Sequence, residues 1–335
     1  MATTTLSQQQ IRALALRAFC ANGMSAGQSE SVAAVVTRAE LDDCRSHGLY
    51  RVPGYVACLR SGRANGMARP AVTRSAPSVL RVDGDRGFAP FAADIARDTF
   101  VEIARGQGMA AMAICNSHHF SALWADLEPL VAAGLVCWSF VVGQCSVAPH
   151  GGTRRLLGTN PIAFGWPRPH GAFIFDFATS AAARGEVELK RLAGEPIPDG
   201  WGIDAAGCPT NDPAAALSGA LLPFGGHKGS ALSMMVELIA GPLIGEMTSR
   251  QVAALGIEDS GPPPGGALIM ALDPKAFGAD AGDLGEAFFA DAAEQPGLRL
   301  PSARRHAARA RNAAQGVAVP NDLLRRIEAL CHDQP

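Results

Sequence analysis

The sequence predicts a mixed α/β fold on three observations. Apolar residues recur at helical spacing near the start, short unbroken apolar runs lie between turn residues in the middle, and further helical stretches open or close on Gly, Ser or Asn. At 335 residues, 48% of them hydrophobic, the chain can bury the cores of about two domains of roughly 100 to 200 residues each.

From Ser7 to about Arg45, Ile11, Leu14, Ala15, Ala18 and Phe19, then Val32, Val35, Val36 and Ala39, fall on helical faces. "ANGMS" interrupts them: Gly23 can close one helix and Ser25 or a neighbour can cap the next, giving a helical hairpin. "RSHGLYRVPGYVACLRSGRANG" restarts a short helix, and "AVTRSAPSVLRVDGDRG" reads as two short strands around turn signals. Residues 90–106 return to helix. "MAAMAIC" (109–115) and "GLVCWSFVV" (134–142) read as buried strands, and "AFIFDFATS" (172–180) as a third that alternates towards Asp176. A loop rich in Gly, Pro, Asp and Asn precedes an apolar helix from about Gly229 to Ala240. Residues 254–264 read as an excursion, "ALIMALDP" as a strand, and 321–330 as a helix capped by Asn321 or Asp322.

A formal net charge of −2 and the absence of a basic, aromatic-interleaved stripe argue against nucleic acid and acidic lipid, leaving small molecules as partners. "MATTTLSQQQIRALALRAF" is polar where a signal peptide is apolar, and no run of about 18 apolar residues follows, so a cytoplasmic protein without membrane contact is expected. The eight cysteines are scattered without a C-x-x-C pair, as reduced thiols are, which argues against a disulfide scaffold or zinc ribbon.

Several stretches could carry chemistry. Gly106-x-Gly108-x-x-Ala111 imitates a dinucleotide fingerprint, but a helix precedes it and a strand follows, the reverse of the required context. "GGTRRLLGTN" suits an anion or a plain surface turn. His118 and His119 cannot converge on one zinc ion, because adjacent side chains point apart and no H-E-x-x-H or cysteine pair joins them. Either Asn116 or Ser117 caps the following turn, or one histidine has a catalytic or cofactor role. If Ser46 starts a helix, His47 and Arg51 lie at i and i+4, where an imidazole and a guanidinium can meet one carboxylate. The plain alternative is a capping serine with a solvated histidine and arginine. Gly225, Gly226, His227, Lys228 and Gly229 either build an anion site at a helix N-terminus or merely start a Gly-rich helix. "SARRHAARARN" (302–312) offers Arg304 and Arg305 to a phosphate, or is a solvated helix face.

Taken together and in order, "RSHGLYRVPGY", "NSHHFSALW", "GTNPIAFGWP", "DFATSAAARGEVELKRLAGEPIPDGWGIDAAGCPTNDP" and "LLPFGGHKGSALSMMVELIAG" resemble the type-2 malate/L-lactate dehydrogenases over most of the chain. "HFSALW" and "ATSAAARGEVEL" are most similar to the branch that reduces cyclic imino acids, the Δ1-piperideine-2-carboxylate and Δ1-pyrroline-2-carboxylate reductases. The resemblance implies a mixed, largely antiparallel sheet with flanking helices rather than a Rossmann fold. It implies a mainly helical substrate and dimerisation domain from residues 1–115 with 300–335, an NADPH-binding domain from 116–299, and a homodimer. The implied reaction is NADPH-dependent reduction of a cyclic imine carrying a 2-carboxylate, to L-pipecolate or L-proline, with NADH as the weaker cofactor and no metal.

By the same resemblance Ser46, His47 and an acidic residue form a relay in which His47 donates the proton. The acidic position falls on Glu186, one methylene longer than the aspartate expected in relatives. Arg51 and Thr159 would contact substrate. His119, Phe120, Ser121, Ala122, Leu123, Phe177, Ala178, Thr179, His227, Lys228, Gly229 and the stretch from Ala303 to Arg309, with Arg304 and Arg305, would line the NADPH site. The nearest competitor is a 2-keto-acid reductase of malate, lactate or ureidoglycolate type, in which His119 would be the acid. A non-catalytic NADPH-binding protein is the competitor from another class.

Overall fold

The computed structural model describes residues 2–120, 122–169, 171–257, 261–278 and 281–332, so Ser121 lies outside the described residues. The strands are β1 (Thr3–Leu6), β2 (Ala71–Ala76), β3 (Val79–Asp83), β4 (Met109–His118), β5 (Val136–Val141), β6 (Ile162–Trp166), β7 (Phe173–Phe177), β8 (Gly202–Ile203), β9 (Ala220–Leu221), β10 (Pro264–Leu272) and β11 (Val317–Pro320). The helices are α1 (Gln8–Ala21), α2 (Ala26–Leu41), α3 (Val52–Arg60), α4 (Ala89–Gln107), α5 (Leu123–Ala132), α6 (Arg184–Ala193), α7 (Pro213–Ser218), α8 (His227–Ile239), α9 (Ser249–Ala253), α10 (Ala281–Ala293), α11 (Ala303–Gln315) and α12 (Asn321–Leu330).

The predicted hairpin forms as α1 and α2. Gly23 takes a left-handed φ of 79° after the first helix, and the Ser25 hydroxyl accepts the Gln28 N–H to cap the second. These helices, α3, α12 and the β1–β11 pair enclose one core, with Ile11, Phe19, Val36, Tyr55 and Ile327 inside it. Asn321 does not cap α12, whose flanking residue is Pro320; its side chain instead accepts from the Thr4 hydroxyl.

Seven strands form the central sheet in the order β2-β3-β4-β10-β5-β6-β7. Every pair is antiparallel except β3 with β4, which α4 links as a crossover. The sheet is thus mixed and largely antiparallel. On β4, Ala110, Met112 and Ile114 face α4 and α5, while Ala113 and Cys115 face α8 with Val236 and Ala240. Burial on both faces explains the unbroken apolar run in that strand. Gly108 is the left-handed cap of α4, so the imitation fingerprint is a helix stop. The expected domain boundary at 115/116 falls inside β4, and strands from both sides of it share the sheet.

Among the described residues no helix is long and apolar enough to cross a membrane.

Candidate active site

Ser46, His47 and Arg51 sit between α2 and α3, on two successive 3₁₀ turns, Arg45–His47 and Leu49–Arg51, rather than on one α-helix. The break has a local cause. The buried Glu40 carboxyl accepts the Leu49 N–H at 2.7 Å, and a Cβ at Gly48 would collide with that carboxyl, so only glycine lets the chain turn there. Burial pushes Glu40 up to about 7, against the lowering effect of its bond from the Leu49 N–H.

The turns bring the three side chains together. Ser46 Oγ lies 3.0 Å from His47 Nδ1, and Arg51 Nε donates to the Ser46 carbonyl at 2.7 Å. The Arg51 guanidinium stacks over Phe120 at 4.3 Å, and Phe120 meets the edge of Tyr55. No carboxylate pairs with Arg51 among the described residues. Its pKa is lowered by burial. His47 is pushed down to about 3, first by burial, then by the Arg51 charge and by His119. His119 is buried, whereas His47 is half-buried, and desolvation pushes His119 down to about 4. The two rival histidines therefore lie within electrostatic reach of each other, both neutral at physiological pH.

His118 takes the opposite direction at the end of β4. Its Nδ1 lies 3.2 Å from the Arg86 carbonyl, its ring meets Phe88, and it borders a separate cavity with Arg63 and Glu246. Neither Asn116 nor Ser117 caps the helix that follows, since both lie within β4. The cap comes from Asp176, at the end of β7, whose carboxylate accepts the Trp124 N–H at 3.2 Å and a bond from the Leu123 N–H.

Other expected residues are placed less simply. Glu186 is exposed in the first turn of α6 and bonds to neither His47 nor Ser46, although its neighbour Gly185 packs on Ser46 and Arg51. Thr159 is half-buried, its carbonyl accepting from the backbone and hydroxyl of Thr179, and no contact joins it to His47 or Arg51. Ala122 and Leu123 are buried in the core under the sheet, so only their backbone could face a cofactor. Phe120 belongs to the Arg51 side. Thr179 is buried with its hydroxyl committed to the Thr159 and Asn160 carbonyls, Ala178 is half-buried and Phe177 is 43% exposed.

Gly225 and Gly226, at left-handed φ of 56° and 62°, lead into α8 with no side-chain cap, leaving its first N–H groups and the exposed His227 and Lys228 open to an anion. Gly229 is required there, because a Cβ would strike the Phe224 carbonyl. This end of the helix fits the pyrophosphate of a nicotinamide cofactor. Arg304 is exposed, but Arg305 is engaged by the protein: it stacks on Trp124 at 4.8 Å and donates to the Ile174 carbonyl. Arg309 is likewise committed, to Asp42 and Glu128, and Arg155 to carbonyls at the end of α7. No group of three metal-ligating side chains occurs among the described residues.

Known proteins match the chain over nearly its whole length. The family model described as malate/L-lactate dehydrogenase covers residues 6–328. The chain is 57% identical over 334 residues to the Δ1-pyrroline-2-carboxylate reductase of Ancylobacter novellus, covering 97% of each. It is 47% identical to the Δ1-pyrroline-2-carboxylate/Δ1-piperideine-2-carboxylate reductase of Pseudomonas aeruginosa, covering 97% of this chain and 98% of that one. The crystal structure of Δ1-piperideine-2-carboxylate reductase from Pseudomonas syringae pvar. tomato superposes with a TM-score of 0.90 at 41% identity, covering 98% of this chain and all of that one. In fold and in sequence alike, the chain belongs to the malate/L-lactate dehydrogenase family.

Proposed function

We propose that this enzyme reduces cyclic imines bearing a 2-carboxylate, Δ1-pyrroline-2-carboxylate to L-proline and Δ1-piperideine-2-carboxylate to L-pipecolate, with NADPH preferred over NADH. One observation carries the reading: Arg51 is a half-buried, desolvated cation with no carboxylate partner among the described residues, held beside His47 against the Phe120 ring. A buried charge calls for a counter-charge, and a substrate carboxylate supplies it in bidentate form. The names and extent of the relatives support the same substrate class.

The residues then divide the work. Arg51 fixes the carboxylate and so the ring face offered to reduction, an effect of orientation. Protonated in the complex with substrate, His47 donates its Nδ1–H to Ser46 Oγ and turns its Nε2–H to the imine nitrogen, so that giving up that proton leaves a neutral imidazole. The substrate carboxylate offsets the Arg51 charge that depresses His47, so binding itself raises the basicity of the acid. A nicotinamide cofactor, held at the α8 N-terminus by His227 and Lys228, supplies the hydride. As hydride reaches the imine carbon, the nitrogen takes the proton from His47. Glu186, solvent-exposed, is not needed to complete the pair in this arrangement.

Residues 1–115 with 300–335 carry the substrate side in this reading and 116–299 the cofactor side, with the shared sheet joining them. A homodimer is proposed from the exposed Leu232, Met235 and Leu238 along one face of α8, with Leu243 beside them. The scattering of the eight cysteines without a C-x-x-C pair supports a reduced, cytoplasmic setting. The proximity of His119 to His47 sustains the 2-keto-acid reading as the competitor. Oxidation of NADPH and NADH against both cyclic imines, pyruvate and oxaloacetate tests the proposal: turnover is expected with the imines, and turnover confined to the open-chain keto acids rejects it.

A further inference from the structure

Among the described residues, no carboxylate bonds to His47 as one usually does to orient a catalytic imidazole. Its hydrogen bond runs to Ser46, the preceding residue, whose hydroxyl is itself a rotor. What closes the other side is an indole. Trp124 meets the His47 ring in an edge-to-face contact, centroids 6.3 Å apart at 73°, a favourable aromatic arrangement. The indole is fastened at several points. Its backbone N–H donates to Asp176 at 3.2 Å, its Nε1–H donates to Asp42 at 2.9 Å, and the Arg305 guanidinium lies 4.8 Å over its face. Asp42 is fully buried and is gripped by Arg309, through Nε at 2.7 Å and Nη2 at 2.6 Å, while Arg309 also reaches Glu128 at 2.6 Å.

We propose that Trp124 is the positioning residue for His47, fixed by the chain Arg309–Asp42–Trp124, so that helix α11 sets the aim of the proton donor through an indole instead of a carboxylate. The proposal rests on His47 being that donor. It also gives the α11 arginines a purpose: Arg305 and Arg309 grip the wall of the site, with a neutral ring between them and the imidazole. A cation in direct contact with His47 would oppose its protonation, whereas the indole transmits position without charge.

Two measurements test this on the full-length enzyme. In steady state, Trp124→Ala is expected to lower kcat on Δ1-pyrroline-2-carboxylate by about tenfold, with KM for the imine and the NADPH Kd within about threefold of wild type. Trp124→Phe, which keeps the ring and loses the Nε1–H, should recover part of that loss, and Asp42→Asn should resemble Trp124→Phe. The second readout needs no turnover: in ¹⁵N-histidine-labelled enzyme the His47 ring nitrogens should show one tautomer in wild type and an averaged signal in Trp124→Ala and Trp124→Phe. Unchanged kcat and pH profile in Trp124→Ala, or unchanged His47 ring signals in a folded Trp124→Phe, overturns the proposal. A wild-type enzyme inert towards imines, whose His47 signals still respond to Trp124, sinks the substrate reading and sustains the positioning role.

Discussion

Gly185 faces the Arg51 guanidinium so closely that a methyl group on its Cα would lie 2.9 Å from Nη2 and 3.4 Å from the Ser46 Cβ. The first turn of α6 is therefore a wall of the carboxylate site, and its closeness depends on the missing side chain. Because a guanidinium is the flexible end of a long side chain, Gly185→Ala should displace Arg51 without unfolding the protein. The expected result is a KM for the cyclic imine raised about tenfold, with NADPH affinity and Tm near wild type. Parallel titrations of imine and NADPH measure it.

The exposed carboxylate of Glu186 leads to a different expectation from the one its sequence position suggests. With no bond to His47 or Ser46, Glu186→Gln should keep kcat within about threefold of wild type. A loss comparable to that of removing the histidine would show that the carboxylate reaches the relay once substrate is bound.

The sequence made the order of elements, the largely antiparallel sheet and the approach of His47 to Arg51 legible, because each is written in local spacing or in family motifs. The form of that approach was not legible. Spacing suggested one helix face, whereas the buried Glu40, on the last turn of α2, captures the Leu49 N–H and splits the segment into two 3₁₀ turns. The cap of α5 was equally hidden, since Asp176 arrives from β7, some fifty residues away in sequence. The strand Ile162–Trp166 and helices α6 and α10 were also passed over: the first is a short apolar run inside a motif, and the helices are short or poorly patterned. Arg305 looked like a phosphate ligand, and Arg309 like the end of a cofactor-lining stretch, because composition cannot reveal that Trp124, Asp42 and Glu128 already hold them.

Buried titratable groups away from the reacting atoms set a pH signature of opposite signs. His118 is pushed down to about 4 by burial, so as pH falls below 6.5 the unfolded chain takes up a proton that the folded one refuses, and stability is lost. Asp126 is pushed up to about 7 by burial, so the folded chain keeps a proton that the unfolded one releases above 3.8, and stability is lost as pH rises towards 7. Thermal unfolding across this range should show a shallower acid loss in His118→Gln and a shallower loss with rising pH in Asp126→Asn, each by a few degrees, about 2 to 4 °C.

The exposed apolar face of α8 predicts the mass in solution. Light scattering should give twice the chain mass for wild type, and Leu238→Glu, which places a charge at a residue 61% exposed in the single chain, should shift the population towards monomer. A monomeric wild type refutes the dimer.

The central claim, that His47 delivers the proton to a cyclic imine whose carboxylate rests on Arg51, is tested most directly by the rates of His47→Ala and His119→Ala on Δ1-pyrroline-2-carboxylate with saturating NADPH. His47→Ala is expected to lose roughly 10² to 10⁴ of the rate, with His119→Ala affected mainly through cofactor affinity. A His47→Ala enzyme that reduces the imine at the full wild-type rate, with the loss appearing instead in the kcat of His119→Ala, contradicts it.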